Sequence, residues 1–172
     1  MATRNISIIR GLIFVLLPVF ASALLLSACG RPESAEIRGE NLSIEFNQSM
    51  QSRLKSAGAE GGEVLGEFRE SERLLLPGEK TLEFVLSEVK NGAFTDEVGA
   101  GSHTVIEGES TAEGVSLLKT VSAFVYEEFP DMAVMEVTYT NQGDSSLEIL
   151  GWGNNSYQLT ADEDTGDGSA PF

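Results

Sequence analysis

Trp152, Asn154, Asn155 and Tyr157 form the segment of this sequence best suited to recognising a ligand. A flat aromatic ring can cover the apolar C–H face of a neutral sugar while side-chain amides exchange hydrogen bonds with its hydroxyls. The same residues also fit a core tryptophan followed by an Asn-Asn turn. Glu127, Glu128 and Asp131, around Phe129-Pro130, offer the carboxylates that glycoside hydrolysis uses in pairs. Adjacent residues of a strand point to opposite faces, so Glu127 and Glu128 cannot act together from one regular strand, and a polar strand end is expected. His103 is the sole histidine; its direct adjacency to Ser102 gives no triad geometry, and it reads as a strand-end residue.

The remaining candidates are weaker. One histidine and one cysteine do not make a transition-metal site. Asp162, Asp164 and Asp167 suggest a calcium loop, but Gly166 and Asp167 occupy its fifth and sixth positions in the reverse of the required order, so a solvated acidic linker is expected. Gly99-Ala100-Gly101 lacks the third glycine and the helix of a dinucleotide-binding turn and reads as a loop. No catalytic residue, metal or cofactor is expected.

Cys29 is the only cysteine, so no intrachain disulfide can form. Arg4 and Arg10 precede an apolar run from Gly11 to Ala28 that Pro18 interrupts, the layout of an export signal. The run is shorter than the ~20 residues a spanning helix needs. Leu26-Ser27-Ala28-Cys29 resembles the lipobox of bacterial lipoprotein precursors. That resemblance implies cleavage after Ala28, lipidation of Cys29 and attachment to a membrane of the cell envelope. Gly30, not an acidic residue, follows the cysteine, which favours the outer membrane over the inner one.

All 27 acidic residues follow Cys29 and two of the 11 basic residues precede it, which leaves nine cations against 27 anions and a formal charge of −18. Such a surface repels polyanions, so nucleic acid is excluded as a partner. The segments expected are a signal peptide over 1–28, a polar tether over 29–40, one domain over 41–161 and an acidic, Gly-rich end over 162–172.

Within the domain, apolar and polar residues alternate with period two between turn-forming residues. Leu42, Ile44 and Phe46 mark a first strand, followed by a Gly-rich loop from Lys55 to Gly62. Val64 to Phe68 and Leu74 to Leu76 are short strands, the second stopped by Pro77-Gly78. A longer strand from Thr81 to Val89 reaches a turn at Asn91-Gly92. Val121, Ala123 and Val125, then Met135, Val137 and Tyr139, mark the strongest β region, with a turn at Asn141 to Asp144 and a return strand at Leu147 and Ile149. Without helical periodicity beyond the signal, the fold class is all-β, an antiparallel β-sandwich.

The order of these segments resembles the N-terminal β-sandwich of α-galactosidase-like proteins of glycoside hydrolase family 36. The residues that carry the likeness are Leu42 to Phe46, Ser52 to Leu54, Leu65 to Glu72, Lys119 to Val121, Tyr126 to Ala133, Val137 to Asn141, Leu147 to Ile149 and Gly151 to Tyr157. The resemblance implies a large sandwich packed on a (β/α)₈ barrel that hydrolyses α-galactosides with two barrel carboxylates. No barrel is present here, so neither carboxylate maps onto a residue of this chain. The expected role is the non-catalytic sandwich portion of a membrane-anchored glycoside hydrolase, with a galactose-containing glycan and the missing catalytic barrel as partners. A small stand-alone exported lipoprotein that binds a glycan or a protein is the alternative.

Overall fold

The computed structural model describes residues 30–56, 62–78, 82–112 and 115–159. The described residues form nine strands and no helix: β1 (Ser34–Arg38), β2 (Leu42–Asn47), β3 (Ser52–Ser56), β4 (Arg73–Leu75), β5 (Val85–Thr95), β6 (Ala100–Ala112), β7 (Val115–Tyr126), β8 (Ala133–Asn141) and β9 (Gly151–Gly153). The fold is all-β, and every strand pairing is antiparallel. The strands make three sheets, ordered β1-β2-β3, β4-β9 and β5-β6-β7-β8.

One buried cluster joins these sheets. Ala35, Ile37 and Phe46 of the three-stranded sheet share it with Leu86, Ile106, Leu117, Val121 and Ala123 of the four-stranded sheet. Met50, Leu76, Leu82 and Phe84 fill the space between. Met50 is placed by a tight β2–β3 turn, in which the Asn47 side chain accepts from the amides of Ser49 and Gln51 at 3.0 and 3.1 Å. Met50 itself has a φ of 54°, a left-handed conformation costly for a non-glycine residue. Its side chain fills the space over Gly108, where a Cβ would stand 2.5 Å from Met50 Cγ.

Several elements differ from the sequence expectations. Part of the proposed tether is folded: residues 34–38 form β1, with Ala35 and Ile37 buried on one face. Two alternating apolar side chains are enough to seat this strand beside β2. Val64 to Phe68 makes no strand; it meets β3 through the Lys55–Val64 bridge, a hydrogen bond from the Leu65 amide to the Leu54 carbonyl at 3.0 Å, and the Arg53 guanidinium 4.1 Å over the Phe68 ring. Asn91-Gly92 is not a turn; β5 runs through it, paired with Thr104 and His103. The Thr104 hydroxyl donates to the Asn91 side chain at 2.9 Å, which holds Asn91 in the ladder. The chain reverses instead at Asp96, whose carboxylate accepts from the amides of Val98 and Gly99 at 2.8 and 3.2 Å.

Gly99-Ala100-Gly101 is likewise only partly a loop, since β6 begins at Ala100. Gly101 is required by close approach, because a Cβ there would lie 2.3 Å from the Val125 carbonyl and 2.8 Å from the Phe94 ring. The turn after β8 forms as expected, with the Asn141 side chain accepting from Gly143 N and donating to Ser145 O. The return strand at Leu147 and Ile149 does not form. The chain instead leaves β8 as a sheet edge and crosses to pair β9 with β4. The signal segment, Cys29 and the acidic stretch from Asp162 lie outside the described residues.

Candidate functional site

The β4–β9 pair positions the aromatic segment. Leu74 stands directly opposite Trp152, with Arg73 opposite Gly153 and Leu75 opposite Gly151. Directly paired residues project from the same face, so Leu74 and Trp152 share one side of this ribbon. On the other side the two glycines leave room for their partners: a Cβ on Gly153 would meet Arg73 at 3.3 Å, and one on Gly151 would meet Leu75 at 3.4 Å. The Leu150 amide donates to the Leu75 carbonyl at 2.8 Å and extends the pairing by one bond.

Trp152 is not a core residue. It is 76% exposed, the most exposed of the large apolar side chains among the described residues. The Asn-Asn turn does form: Asn155 has a φ of 52°, which asparagine tolerates better than most residues. Beyond it the chain folds back onto the loop before β4, with the Ser156 amide donating to the Ser71 carbonyl at 3.1 Å. Gly66 allows this contact, because a Cβ there would lie 2.2 Å from the Gln158 carbonyl oxygen.

The four sequence candidates therefore separate. Trp152 and Asn154 border a cavity of about 480 Å³ whose other walls are Leu74, Val137, Tyr139 and Ile149. Asn155 is exposed at the turn and does not line this cavity. Tyr157 turns inward, its hydroxyl donating to Glu72 Oε1 at 3.3 Å.

Glu72 belongs to a buried polar group that adjoins the cavity wall at Tyr139, which stands opposite Lys119. Glu72 and Lys119 are 2% and 1% exposed, and their charged atoms lie 3.7 Å apart. The ammonium donates to the carbonyl oxygens of Glu72 at 2.9 Å and Met50 at 3.4 Å. Ser52 donates to the Glu72 carboxylate at 3.3 Å. Burial raises the Glu72 pKa, with Lys119, Tyr157 and Ser52 opposing it. Burial lowers that of Lys119, against the pull of Glu72 and Glu70.

Tyr139 pairs with Lys119 across β7 and β8 and packs on Phe84 at 5.8 Å between ring centres. Its hydroxyl is buried without a hydrogen-bond partner. Burial, then the charges of Glu72 and Glu70, hold its pKa far above the usual phenol value. A second cavity, of about 450 Å³, lies on the Lys119 side and includes Met50, Glu70, Leu76, Phe84 and Leu150 in its lining. Leu74 is common to both cavities.

Comparison with known proteins finds no matching family model, no matching curated protein and no matching solved structure.

The other sequence candidates do not converge on this site. His103 lies within β6, not at a strand end. It stacks on Phe124 at 4.2 Å and 4°, with its Nε2 buried and unpaired. Asp131 has a structural role, accepting from the backbone and side-chain nitrogens of Asn41, both at 2.8 Å. Glu127 and Glu128 are exposed in the turn after β7. No group of three or more His, Cys, Asp or Glu that could hold a metal occurs among the described residues.

The sequence reading missed Leu74, Val137, Tyr139 and Ile149 as walls of a cavity, and the buried Lys119–Glu72 pair next to Tyr139. One signal was available: Lys119 occupies a core phase of β7, in register with Leu117, Val121 and Ala123. A lysine in that phase needs a buried acceptor. Nothing local identified Glu72 as that acceptor.

Proposed function

We propose that this chain is the non-catalytic β-sandwich portion of a membrane-anchored α-galactosidase-like glycoside hydrolase, and that it holds a galactose-containing glycan against Trp152. The exposure of Trp152 carries this reading. An indole in water, with an asparagine amide beside it at a cavity mouth, has the chemistry of a neutral-sugar platform. The sandwich assignment is supported by the core cluster shared between the three- and four-stranded sheets. The family assignment rests on the segment order quoted above, and the anchor on Leu26 to Cys29.

Among the described residues no pair of carboxylates lines this cavity, so no hydrolytic step is assigned to it. The full chain, reconstituted in lipid nanodiscs, is titrated calorimetrically with methyl α-galactoside and melibiose. Saturable binding that Trp152→Ala abolishes is the expected result, with no release of nitrophenol from an aryl α-galactoside. Absence of binding to either sugar would refute the glycan reading. It would turn attention to a protein partner for a stand-alone lipoprotein, which exposed Leu75, Ile149 and Leu150 around Trp152 favour.

A further inference from the structure

The lining of the cavity at the foot of Trp152 does not suit a bare sugar. Its volume of about 480 Å³ falls within the range of about 300–1,000 Å³ typical of small-molecule sites. Apart from Asn154, its side chains are those of Leu74, Val137, Tyr139, Ile149 and Trp152. The Tyr139 hydroxyl is buried away from solvent, so this residue offers the cavity its ring. A pyranose bears a hydroxyl on most of its carbons, and each one buried without a partner opposes binding. One amide cannot satisfy them, so the sugar must keep most of its hydroxyls in water at the rim.

The space exists because of the sheet order. β8 is the last strand of its sheet, and the chain crosses from it to β9 instead of returning alongside. Val137 and Tyr139 project from the core-facing side of β8, and among the described residues no further strand pairs beside them. Lys119, directly opposite Tyr139, is already paired with Glu72, and among the described residues no cationic side chain lines the cavity. An anionic group is therefore disfavoured there.

We propose that this cavity seats a neutral, apolar or aromatic aglycone, so that the preferred ligand is a galactoside whose sugar lies on Trp152 and Asn154 and whose aglycone enters between Leu74, Val137 and Ile149. The proposal rests on the sugar-platform reading of Trp152. Two different failures distinguish them.

Trp152 is the only tryptophan, so its emission in the full chain, held in nanodiscs, reports directly on this site. Methyl and phenyl α-galactoside are compared by that emission and by calorimetry. The phenyl glycoside is expected to bind at least tenfold more tightly and to shift the emission to the blue. Val137→Thr conserves volume and Ile149→Thr shortens the side chain by one carbon, both outside the fully buried core; each is expected to reduce the advantage below threefold. Circular dichroism verifies that both variants fold. Equal affinity for the two galactosides, lost in Trp152→Ala, would overturn the aglycone seat and leave the sugar platform standing. Binding of neither would overturn both. Phenol binding as tightly as phenyl galactoside would overturn the proposal by showing that the sugar contributes nothing.

Discussion

Separating Lys119 from Glu72 is expected to be the most damaging pair of single substitutions in the protein. At 3.7 Å, an effective dielectric constant near 20 gives a charge–charge attraction of about 4 kcal/mol. Lys119→Met also strands the carbonyls of Glu72 and Met50 that the ammonium serves. Each lost partner costs about 1–3 kcal/mol if water cannot replace it. Proton uptake by Glu72 limits the total, so a loss of about 3–5 kcal/mol is expected, as for other broken buried pairs. Glu72→Gln is expected to cost a similar amount by leaving the ammonium buried without a counter-charge. The double variant should recover part of either loss, because two neutral groups replace one unpaired charge.

Urea unfolding followed by far-ultraviolet circular dichroism measures all four corners of the cycle; emission from Trp152 is a poor probe because that ring is already in water. The losses should also depend on pH. Burial raises the folded-state Glu72 pKa above its ordinary value of 4.5, and removing Lys119 raises it further. A carboxyl raised on folding contributes stability below its unfolded pKa and loses it as pH rises through the folded value. Lys119→Met should therefore be less destabilising at pH 5 than at pH 8. Single losses below about 1 kcal/mol that simply add, with no change between these pH values, would refute the buried pair.

Tyr139→Phe removes a buried hydroxyl that has no partner and is expected to leave stability unchanged or raise it by about 1 kcal/mol, read as a higher Tm. Gly66→Ala places a methyl 2.2 Å from the Gln158 carbonyl; it should cost about 1–3 kcal/mol and weaken galactoside binding by displacing the segment after Asn155. Cys29→Ser is expected to release the protein from membranes or block its maturation, and unchanged fractionation and mobility would refute lipidation.

The sequence disclosed strands where one side chain in two is apolar, as in β7 and β8. It concealed β6, whose core face carries Thr104, Gly108 and Ser110 beside Ile106. Gly108 is admitted because Met50, 58 positions away, fills the space above it, and Thr104 because its hydroxyl donates to Asn91. Asn91-Gly92 read as a turn because its local preference is for one, and pairing on β6 overrode that preference. Gly-Trp-Gly left the environment of Trp152 open: the flanking glycines suit a narrow strand, but only the crossing to β4 determined that the ring would face water.

The crossing also governs the order in which the site can assemble. β5 to β8 pair each with the next along the chain, so this meander can grow by short-range closures. Leu74 and Trp152 are 78 positions apart, and their ribbon has only three residue pairs to offset the entropy of bringing its ends together. The β4–β9 ribbon is therefore a late acquisition in folding and an early loss in unfolding. Amide hydrogen exchange should show Leu75 and Trp152 opening well before Ile106 and Val121. A molecule that bridges β8 and β9 would close that gap by fastening the ribbon to the edge of the four-stranded sheet.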